Sequence, residues 1–373
     1  MLKVLFITAG SHSPSDKNLN HFQRVYFISR YEELTVLSRK SSDFSDSAYE
    51  GTEVIRGLVS GKLGVLLEGI LLAVTGRARR FDVVLTEPST LAFCGLLCKL
   101  FCGCKWVVDI WDVPIRCFVG VSRPMLARRT VLRAFLKFIF RRADMFIVSM
   151  LPDFELKEFG LKWEKMLLLE NAIWLDDLRK VDTEEKPPFR LLAMRSFFTR
   201  DMGLDVLGEA MEIVSGNSGE VRLSVVGKIL KEVEPHVERL RANPNVELIE
   251  FMEHHELLKL IGGAAACIIP YREVPDLIQI YPVKVLEYLA LGKPVIAPDT
   301  ENMRRMLSDG WNALLYKPGD AKDLAEKVLM LHRDKEMRRK MGENAQNLDE
   351  RFNCVHKNRL IINELHKLAA GER

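Results

Sequence analysis

Short apolar runs separated by longer helix-like stretches make up most of the chain. The first run, KVLFITAG, ends at Gly10, and a polar loop containing His12 follows it. An apolar run that ends in a polar loop is typical of a buried parallel strand. Further runs occur at residues 34–37, 83–86, 106–108 and 146–149. The alternation predicts βαβ units and a doubly wound sheet in residues 1–180.

A charged segment with two prolines, DTEEKPPF, interrupts this pattern. Its composition is typical of a linker, which we place at residues 181–189. Behind it, strands are predicted in FRLLAM, VRLSVVG, VELIEF, AACIIPY and PVIAP. We therefore predict a second α/β domain at residues 190–350 and a closing helix at residues 351–373 that returns toward the N-terminal domain. Ligands are expected in the cleft between two such halves.

The composition fits a globular protein of this kind. Of the 373 residues, 48% are hydrophobic and 28% charged, which excludes a disordered chain or a collagen-like scaffold. No apolar stretch reaches the roughly 18 residues of a membrane-spanning helix. Seven cysteines without a secretory signal favour a reducing compartment, so we expect a cytoplasmic protein.

Three cysteines, Cys94, Cys98 and Cys102, are spaced four residues apart, and Cys104 follows closely. This spacing places the first three on one face of a helix. Their neighbours are Ala, Leu, Phe and Gly, with no histidine or acid, and cysteine packs as a small hydrophobe. We expect them in the core and not at a metal site.

Positive charge is concentrated in the N-terminal half. The first 180 residues carry 26 basic and 20 acidic residues, a net charge of +6, while the remainder carries 28 and 31, a net charge of −3. Residues 128–142 place their cations at helical spacing between apolar residues. These cations are Arg128, Arg129, Arg133, Lys137, Arg141 and Arg142. Two interpretations stay open, a solvated helix face and a peripheral contact with an anionic membrane surface. Nucleic acid is not expected, because no stacking aromatics line a basic groove.

The segment YPVKVLEYLALGKPVIAPD, residues 281–299, is the most informative. Pro282 suits the first position of a helix, whose free backbone N–H groups and dipole attract a diphosphate. Lys284 and Glu287 follow on that helix, where a carboxylate can accept hydrogen bonds from both hydroxyls of a ribose.

This segment resembles the donor site of the GT-B fold retaining glycosyltransferases of family 4, also called glycosyl transferases group 1. The family pattern has two glutamates, and the second, which holds the donor ribose, matches Glu287. The first falls at Gln279, where the family contacts the transferred sugar, so the usual sugar preference is not carried over. The resemblance covers nearly the whole chain and implies two Rossmann-like domains that face a central cleft.

Upstream, LLAMRSFFTRDMGLDVLGEAMEIV resembles the family segment that supplies an arginine and a lysine to the donor diphosphate. Met202 stands where the lysine is expected, and Arg195 or Arg200 can grip a phosphate instead. Within the resemblance, Gln279, Arg195 and Lys284 are the candidate catalytic residues. The candidate donor contacts are Arg200, Ser196, Gly227, Met252, Tyr281, Pro282, Val283 and Glu287.

In the N-terminal half, VVDIWDVPIR resembles the acceptor-side loop of family members that act on lipid-linked sugars. Asp109 and Asp112 are candidates there, with turn or capping roles as the alternative. Gly10 and His12 are acceptor-side candidates in the first loop. His254 and His255 are expected on the surface at a helix start. Asp176 and Asp177 are adjacent, unlike the spaced aspartates of metal-dependent transferases, so no metal or other cofactor is expected.

The resemblance implies transfer of a hexose-type sugar, with retention of configuration, from a nucleotide sugar to a glycan, lipid-linked or small-molecule acceptor. It also implies that the leaving phosphate helps to deprotonate the acceptor. Two alternatives remain, an epimerase of the same fold and a catalytically silent sugar-nucleotide binder, the latter suggested by Gln279 and Met202. A dinucleotide dehydrogenase is disfavoured, because no Gly-x-Gly-x-x-Gly follows the first strand.

Overall fold

The computed structural model describes residues 1–9, 20–39, 51–110, 123–149, 159–198, 202–250, 252–272, 282–348 and 350–372. The strands are β1 (Lys3–Ile7), β2 (Glu33–Ser38), β3 (Glu53–Arg56), β4 (Val83–Thr86), β5 (Lys105–Ile110), β6 (Met145–Val148), β7 (Met166–Leu168), β8 (Arg190–Phe198), β9 (Arg222–Ile229), β10 (Val246–Ile249), β11 (Ala266–Ile268), β12 (Val295–Pro298) and β13 (Ala313–Tyr316). The helices are α1 (Asn20–Tyr31), α2 (Gly61–Val74), α3 (Ala92–Cys102), α4 (Arg123–Phe140), α5 (Leu175–Leu178), α6 (Leu204–Asn217), α7 (Glu238–Ala242), α8 (His254–Gly263), α9 (Val283–Ala290), α10 (Glu301–Arg304), α11 (Ala321–Arg333), α12 (Lys335–Ala345) and α13 (Cys354–Ala370).

The chain divides into two compact units, and each has a parallel sheet at its centre. The first unit comprises Met1–Ala172 and Arg351–Arg373, and the second comprises Ile173–Glu350. Their strand orders are β3-β2-β1-β4-β5-β6-β7 and β10-β9-β8-β11-β12-β13. All neighbouring strands in both sheets pair in parallel. The predicted α/β fold with two Rossmann-like sheets is confirmed.

In each sheet the strand order reverses at one point, between β1 and β4 and between β8 and β11. Ligands of doubly wound sheets bind beyond the carboxyl ends of the strands at this point. The two reversals therefore mark where functional side chains are to be sought.

Helices α2, α3 and α4 form one layer of the first unit. Cys94 and Cys98 of α3 lie in the same core cluster as Val65 of α2 and Val84 of β4. The rings of Phe93 in α3 and Phe135 in α4 are 5.9 Å apart, which joins α3 to α4. Cys94, Cys98 and Cys104 are buried in this core, as predicted, whereas Cys102 packs against it half-buried.

Burial of these thiols makes them poor nucleophiles. Desolvation raises the pKa of Cys94 to about 12 and that of Cys104 to about 11. The thiolate, which is the reactive form, is therefore scarce at neutral pH.

The units divide between Ala172 and Ile173, upstream of the predicted linker at residues 181–189. That segment packs on the second unit. The Lys186 backbone N–H donates to the Gly263 carbonyl at 3.1 Å, and Arg338 pairs with Glu185 at 3.0 Å. Charge and proline content mark a segment as irregular but do not reveal contacts with distant residues.

Candidate functional site

Arg195 lies near the carboxyl end of β8, beside the reversal in the second sheet. The pairing of β8 with β9 shifts register between Met194 and Phe197, so the strand bulges at this arginine. Gly227 of β9 has a φ of +142°, and a Cβ there would collide with the Arg195 carbonyl oxygen. Any other residue at position 227 would displace the strand that carries the arginine. Gly227, predicted as a donor contact, thus supports Arg195 structurally.

Tyr271, just beyond β11, connects two cationic side chains of the site. Its hydroxyl accepts a hydrogen bond from Arg195 Nη1. The Arg195 guanidinium carbon and Lys284 Nζ each lie 5.1 Å from the centre of the Tyr271 ring. Cations at this distance are attracted by the face of an aromatic ring. The ring thus brings two positive groups close together.

The ammonium of Lys284 also contacts the backbone of β8. Its Nζ donates to the Met194 carbonyl at 2.8 Å. Burial of the ammonium lowers the pKa of Lys284 well below 10.5, the charge of Arg195 lowers it further, and Glu287 opposes both. A bound anion would relieve this unfavourable charge, because an opposite charge favours the ionised lysine. The pair Arg195 and Lys284 is therefore suited to bind a diphosphate.

The start of α9 lies in the same segment. Pro282 is the residue before the first helical residue, Val283, and no side chain of the described residues caps this helix start. The sequence predicted Pro282 as the first helical residue, whereas the helix begins one residue later, at Val283. Uncapped N–H groups at a helix start are donors for an anion. Lys284 lies in this first turn, so the helix start and its charge act together.

Glu287 is buried on α9, one turn after Lys284, with only 4% of its surface exposed. Its Oε1 is 3.0 Å from Nε2 of His254, the first residue of α8. His254 was predicted on the surface, whereas the structure brings it to the glutamate. Its neighbour His255 is exposed, as expected, and lies 2.9 Å from Glu256.

The remaining described candidates are close in the chain to Arg195, Lys284 or His254. Ser196 follows Arg195 and is exposed, Val283 is half-buried, and Met252 lies half-buried just before α8. Met202 is buried, so the position where the resemblance expects a lysine presents no charge.

Six predicted site residues lie outside the described residues. They are Gly10, His12, Asp112, Arg200, Gln279 and Tyr281. The alternative between Arg195 and Arg200 at the diphosphate therefore stays open, although Arg195 is placed beside Lys284.

In the first unit, Asp109 is fully buried near the carboxyl end of β5. It accepts a hydrogen bond from Arg24 Nε at 2.7 Å, and Arg24 Nη1 donates to Asn358 of α13 at 2.8 Å. Lys357 Nζ lies 3.4 Å from the Ser149 hydroxyl in the same region. This network ties α1, β5 and α13 together. The sequence predicted that the closing helix returns toward the N-terminal domain, but not which side chains it meets there.

Glu87 is an acid that the sequence analysis missed. It follows β4 at the reversal in the first sheet, where its Oε1 accepts hydrogen bonds from the Thr8 hydroxyl and from the Ala9 backbone N–H, the latter at 2.9 Å. Its position directly after a predicted strand was the available signal. A carboxylate at this edge can orient a hydroxyl-bearing ligand.

Asp176 and Asp177 lie in the first turn of α5 and pair with the neighbouring Arg179 and Lys180. Within the part of the chain that the structure describes, no three His, Cys, Asp or Glu side chains are grouped as ligands for a metal ion. In that same part, no helix is long and apolar enough to cross a membrane.

One known protein family matches the part of the chain that contains this site. Residues 176–348 match the family described as Glycosyl transferases group 1. An uncharacterized glycosyltransferase of Methanocaldococcus jannaschii is 27% identical over 171 residues, which are 45% of this chain and 46% of that protein. The N,N'-diacetylbacillosaminyl-diphospho-undecaprenol alpha-1,3-N-acetylgalactosaminyltransferase of Campylobacter jejuni is 30% identical over 113 residues, 28% of each chain. The matched segments thus span at most about half of these relatives.

Among solved structures, the Anabaena protein HepE in complex with UDP and glucose superposes with a TM-score of 0.71 at 16% identity, covering 98% of this chain and 100% of HepE. At this identity the likeness concerns the fold. Arg195, Lys284 and Glu287 all lie within the family match. Residues 176–348 therefore match a glycosyltransferase group 1 domain, in a chain with the fold of the GT-B glycosyltransferases.

Proposed function

We propose that this chain is a retaining glycosyltransferase of family 4, which moves a hexose-type sugar from a nucleotide sugar to a glycan, lipid-linked or small-molecule acceptor. One observation carries the proposal. Arg195, Lys284 and the uncapped start of α9 gather positive charge beside the buried carboxylate of Glu287, within the segment that matches the glycosyltransferase family.

The two cations suit the leaving diphosphate. Negative charge develops on that group as the bond to the sugar breaks, and donors already in place stabilise it without reorganisation. Glu287 accepts hydrogen bonds from the ribose hydroxyls in this proposal. Since the chain itself supplies the positive charge, sugar transfer needs no metal ion, and we expect activity to survive a chelator.

The names of similar proteins guide the choice of ligands. HepE was crystallised with UDP and glucose, and the Campylobacter enzyme is named for a lipid-linked diphosphate acceptor. UDP-sugars and undecaprenyl-linked sugars are therefore the first donor and acceptor to try. A lipid-linked acceptor agrees with a cytoplasmic protein that binds the inner face of a membrane peripherally. We expect Gln279→Glu to change sugar preference more than overall rate.

Thermal-shift measurements against UDP-, GDP-, ADP- and CMP-sugars test the donor site. A ligand that binds only the folded state raises its stability with occupancy, so one nucleotide series should raise the melting temperature. Product analysis with that donor then separates the alternatives. Transfer to acceptor supports the proposal, turnover of donor without acceptor would indicate an epimerase, and binding without hydrolysis or transfer would indicate a silent binder.

A further inference from the structure

Helix α2 exposes a continuous apolar stripe. Leu63, Leu67, Leu71 and Val74 are 60%, 40%, 38% and 60% exposed. Their spacing of four, four and three residues places them on one face of the helix. The opposite face, which includes Val65 and Leu72, packs in the core. The helix is thus apolar on both sides, which a helix covering a core in water does not require.

The stripe continues across the layer formed by α2, α3 and α4. The Cys102 thiol lies 3.3 Å from the Ala73 carbonyl, so the last turns of α2 and α3 are adjacent, and Leu100 and Phe101 are exposed there. Of the 17 exposed large hydrophobic side chains in the described residues, ten lie between positions 58 and 138. The second unit contributes two, Trp311 and Met330. The concentration is therefore a property of this layer, and such patches mark interaction surfaces.

Positive charge borders the stripe. The three helices contain one acidic residue, Glu68, which is buried and paired with Arg77 at 3.4 Å. A short 3-10 helix, Arg77–Arg80, follows α2 and carries three arginines, of which Arg80 pairs with Glu53 at 2.7 Å. On α4 and just beyond it, Lys137, Arg141 and Arg142 are exposed. The side chains of Arg128 and Arg129 lie outside the described part of this helix.

We propose that the outer face of α2, α3 and α4 docks on an anionic lipid surface. The α2 stripe enters the boundary between headgroups and acyl chains, and the bordering cations contact the headgroups. An apolar helix face with basic neighbours binds membranes in this way. A second copy of the chain fits less well, because the same positive border would face itself. This docking surface rests on the peripheral membrane binding of the proposed function and specifies where it occurs, but it uses no step of sugar transfer.

The apolar stripe changes what the sequence predicted for membrane binding. A contact made by the basic residues 128–142 alone would be released by salt. Because apolar burial is not screened by ions, binding to anionic vesicles should weaken in high salt but not vanish.

Sedimentation with phosphatidylglycerol vesicles and with phosphatidylcholine vesicles tests the surface. We expect the wild-type protein to bind the anionic vesicles, and Leu67→Glu with Leu71→Glu to lower the partition coefficient about tenfold or more. The matched control is Met330→Glu with Leu360→Glu, which adds the same charge at helix positions that are 42% and 38% exposed. The control should bind vesicles like wild type, except for the weaker attraction to anionic lipid that its two added negative charges cause.

Two further sets of variants test the charged border and the apolar stripe separately. Replacing Lys137, Arg141 and Arg142 by Glu should lower binding about a hundredfold at low salt, at about 1 kcal/mol for each residue. Leu67→Gln with Leu71→Gln, which adds no charge, should lose the part of vesicle binding that persists in high salt.

If both stripe variants bind vesicles like wild type, or if wild type binds neither kind of vesicle, the docking surface is wrong. A lipid-free dimer that the stripe variants dissociate would assign the surface to a second copy. Nucleotide binding should be unchanged in the stripe variants, so membrane docking and donor binding can fail separately.

Discussion

His254 Nε2 lies 3.0 Å from Glu287 Oε1, although 33 residues separate them in the chain. His254 is the first residue of α8, and Glu287 lies one turn into α9. The contact thus joins the start of α8 to the middle of α9. The contact positions the carboxylate that we propose to hold the donor ribose. Mutation of the glutamate and mutation of the histidine should therefore have different effects on donor use.

Glu287→Ala should weaken donor use about ten- to a hundredfold or more. Each hydrogen bond from a ribose hydroxyl to a carboxylate contributes roughly 1.5 to 3 kcal/mol. Glu287→Gln keeps the volume and one acceptor oxygen but loses the charge, and it should lose activity nearly as badly. Donor titration and transfer rates measure the effect, with circular dichroism to check folding. Glu336→Ala, which removes an exposed carboxylate on α12, is the control. If folded Glu287→Ala binds and transfers sugar like wild type, the donor site is assigned wrongly.

His254→Ala should raise the KM for donor several-fold while kcat changes little. The histidine fixes the rotamer of Glu287 but does not itself contact the donor in this interpretation. His254→Gln keeps a hydrogen-bond donor at this position and should recover part of the loss. The adjacent His255→Ala is a matched control, because His255 is exposed and pairs with Glu256.

A double-mutant cycle between His254 and Glu287 gives the sharper measurement. If the histidine acts through the glutamate, the double variant should be no worse than Glu287→Ala alone. Additive losses would mean that His254 has its own contact with the donor, which overturns a positioning role.

The sequence predicted the elements of the donor site better than the contacts between them. Glu287, Lys284 and Pro282 stand in one segment, so their helix could be predicted from local pattern. His254 reaches the site from α8 and Tyr271 from the segment after β11, and periodicity does not tell which distant side chains meet. The same holds for Arg24, which is 85 residues from its partner Asp109.

Three strands were also missed, β3, β7 and β13, and all are edge strands of three or four residues. Edge strands pair on one side only and are short in many proteins, although the edge strand β10, which lies in the longer run VELIEF, was predicted. The central strands, buried on both faces, gave continuous apolar runs and were all predicted.

Lys284→Met should stabilise the protein at neutral pH while it impairs donor binding. Burial and Arg195 lower the pKa of Lys284 well below 10.5 in the folded chain, whereas the unfolded chain keeps the ordinary value. Between these two values the unfolded state binds more protons, so wild-type stability rises with pH there. Lys284→Met has no buried charge to destabilise the folded state. Its advantage over wild type in the free energy of unfolding should therefore shrink as the pH approaches 10.5.

Urea unfolding at about pH 7 and about pH 10 measures this difference. Lys335→Met, at an exposed position on α12, removes a charge without relieving burial and should show no such trend. A Lys284→Met protein less stable than wild type at both pH values would contradict the role of the buried charge. Its affinity for nucleotide diphosphate should fall about tenfold or more through loss of a charged contact.

Asp109→Ala should destabilise the first unit by about 3 to 5 kcal/mol, because it leaves the buried Arg24 guanidinium without its charge partner. Arg24 and Asp109 are both fully buried at a distance of 2.7 Å, and Lys357, whose pKa is lowered by burial and by Arg24, loses a compensating charge as well. Arg24→Met with Asp109→Leu removes both charges and should recover much of the loss. Urea unfolding measures each variant, and transfer assays on the folded fraction test the acceptor role predicted for Asp109. If Asp109→Ala unfolds like wild type yet fails to use acceptor, the carboxylate serves the acceptor site. If the double variant is stable and transfers sugar normally, the ion pair serves the fold.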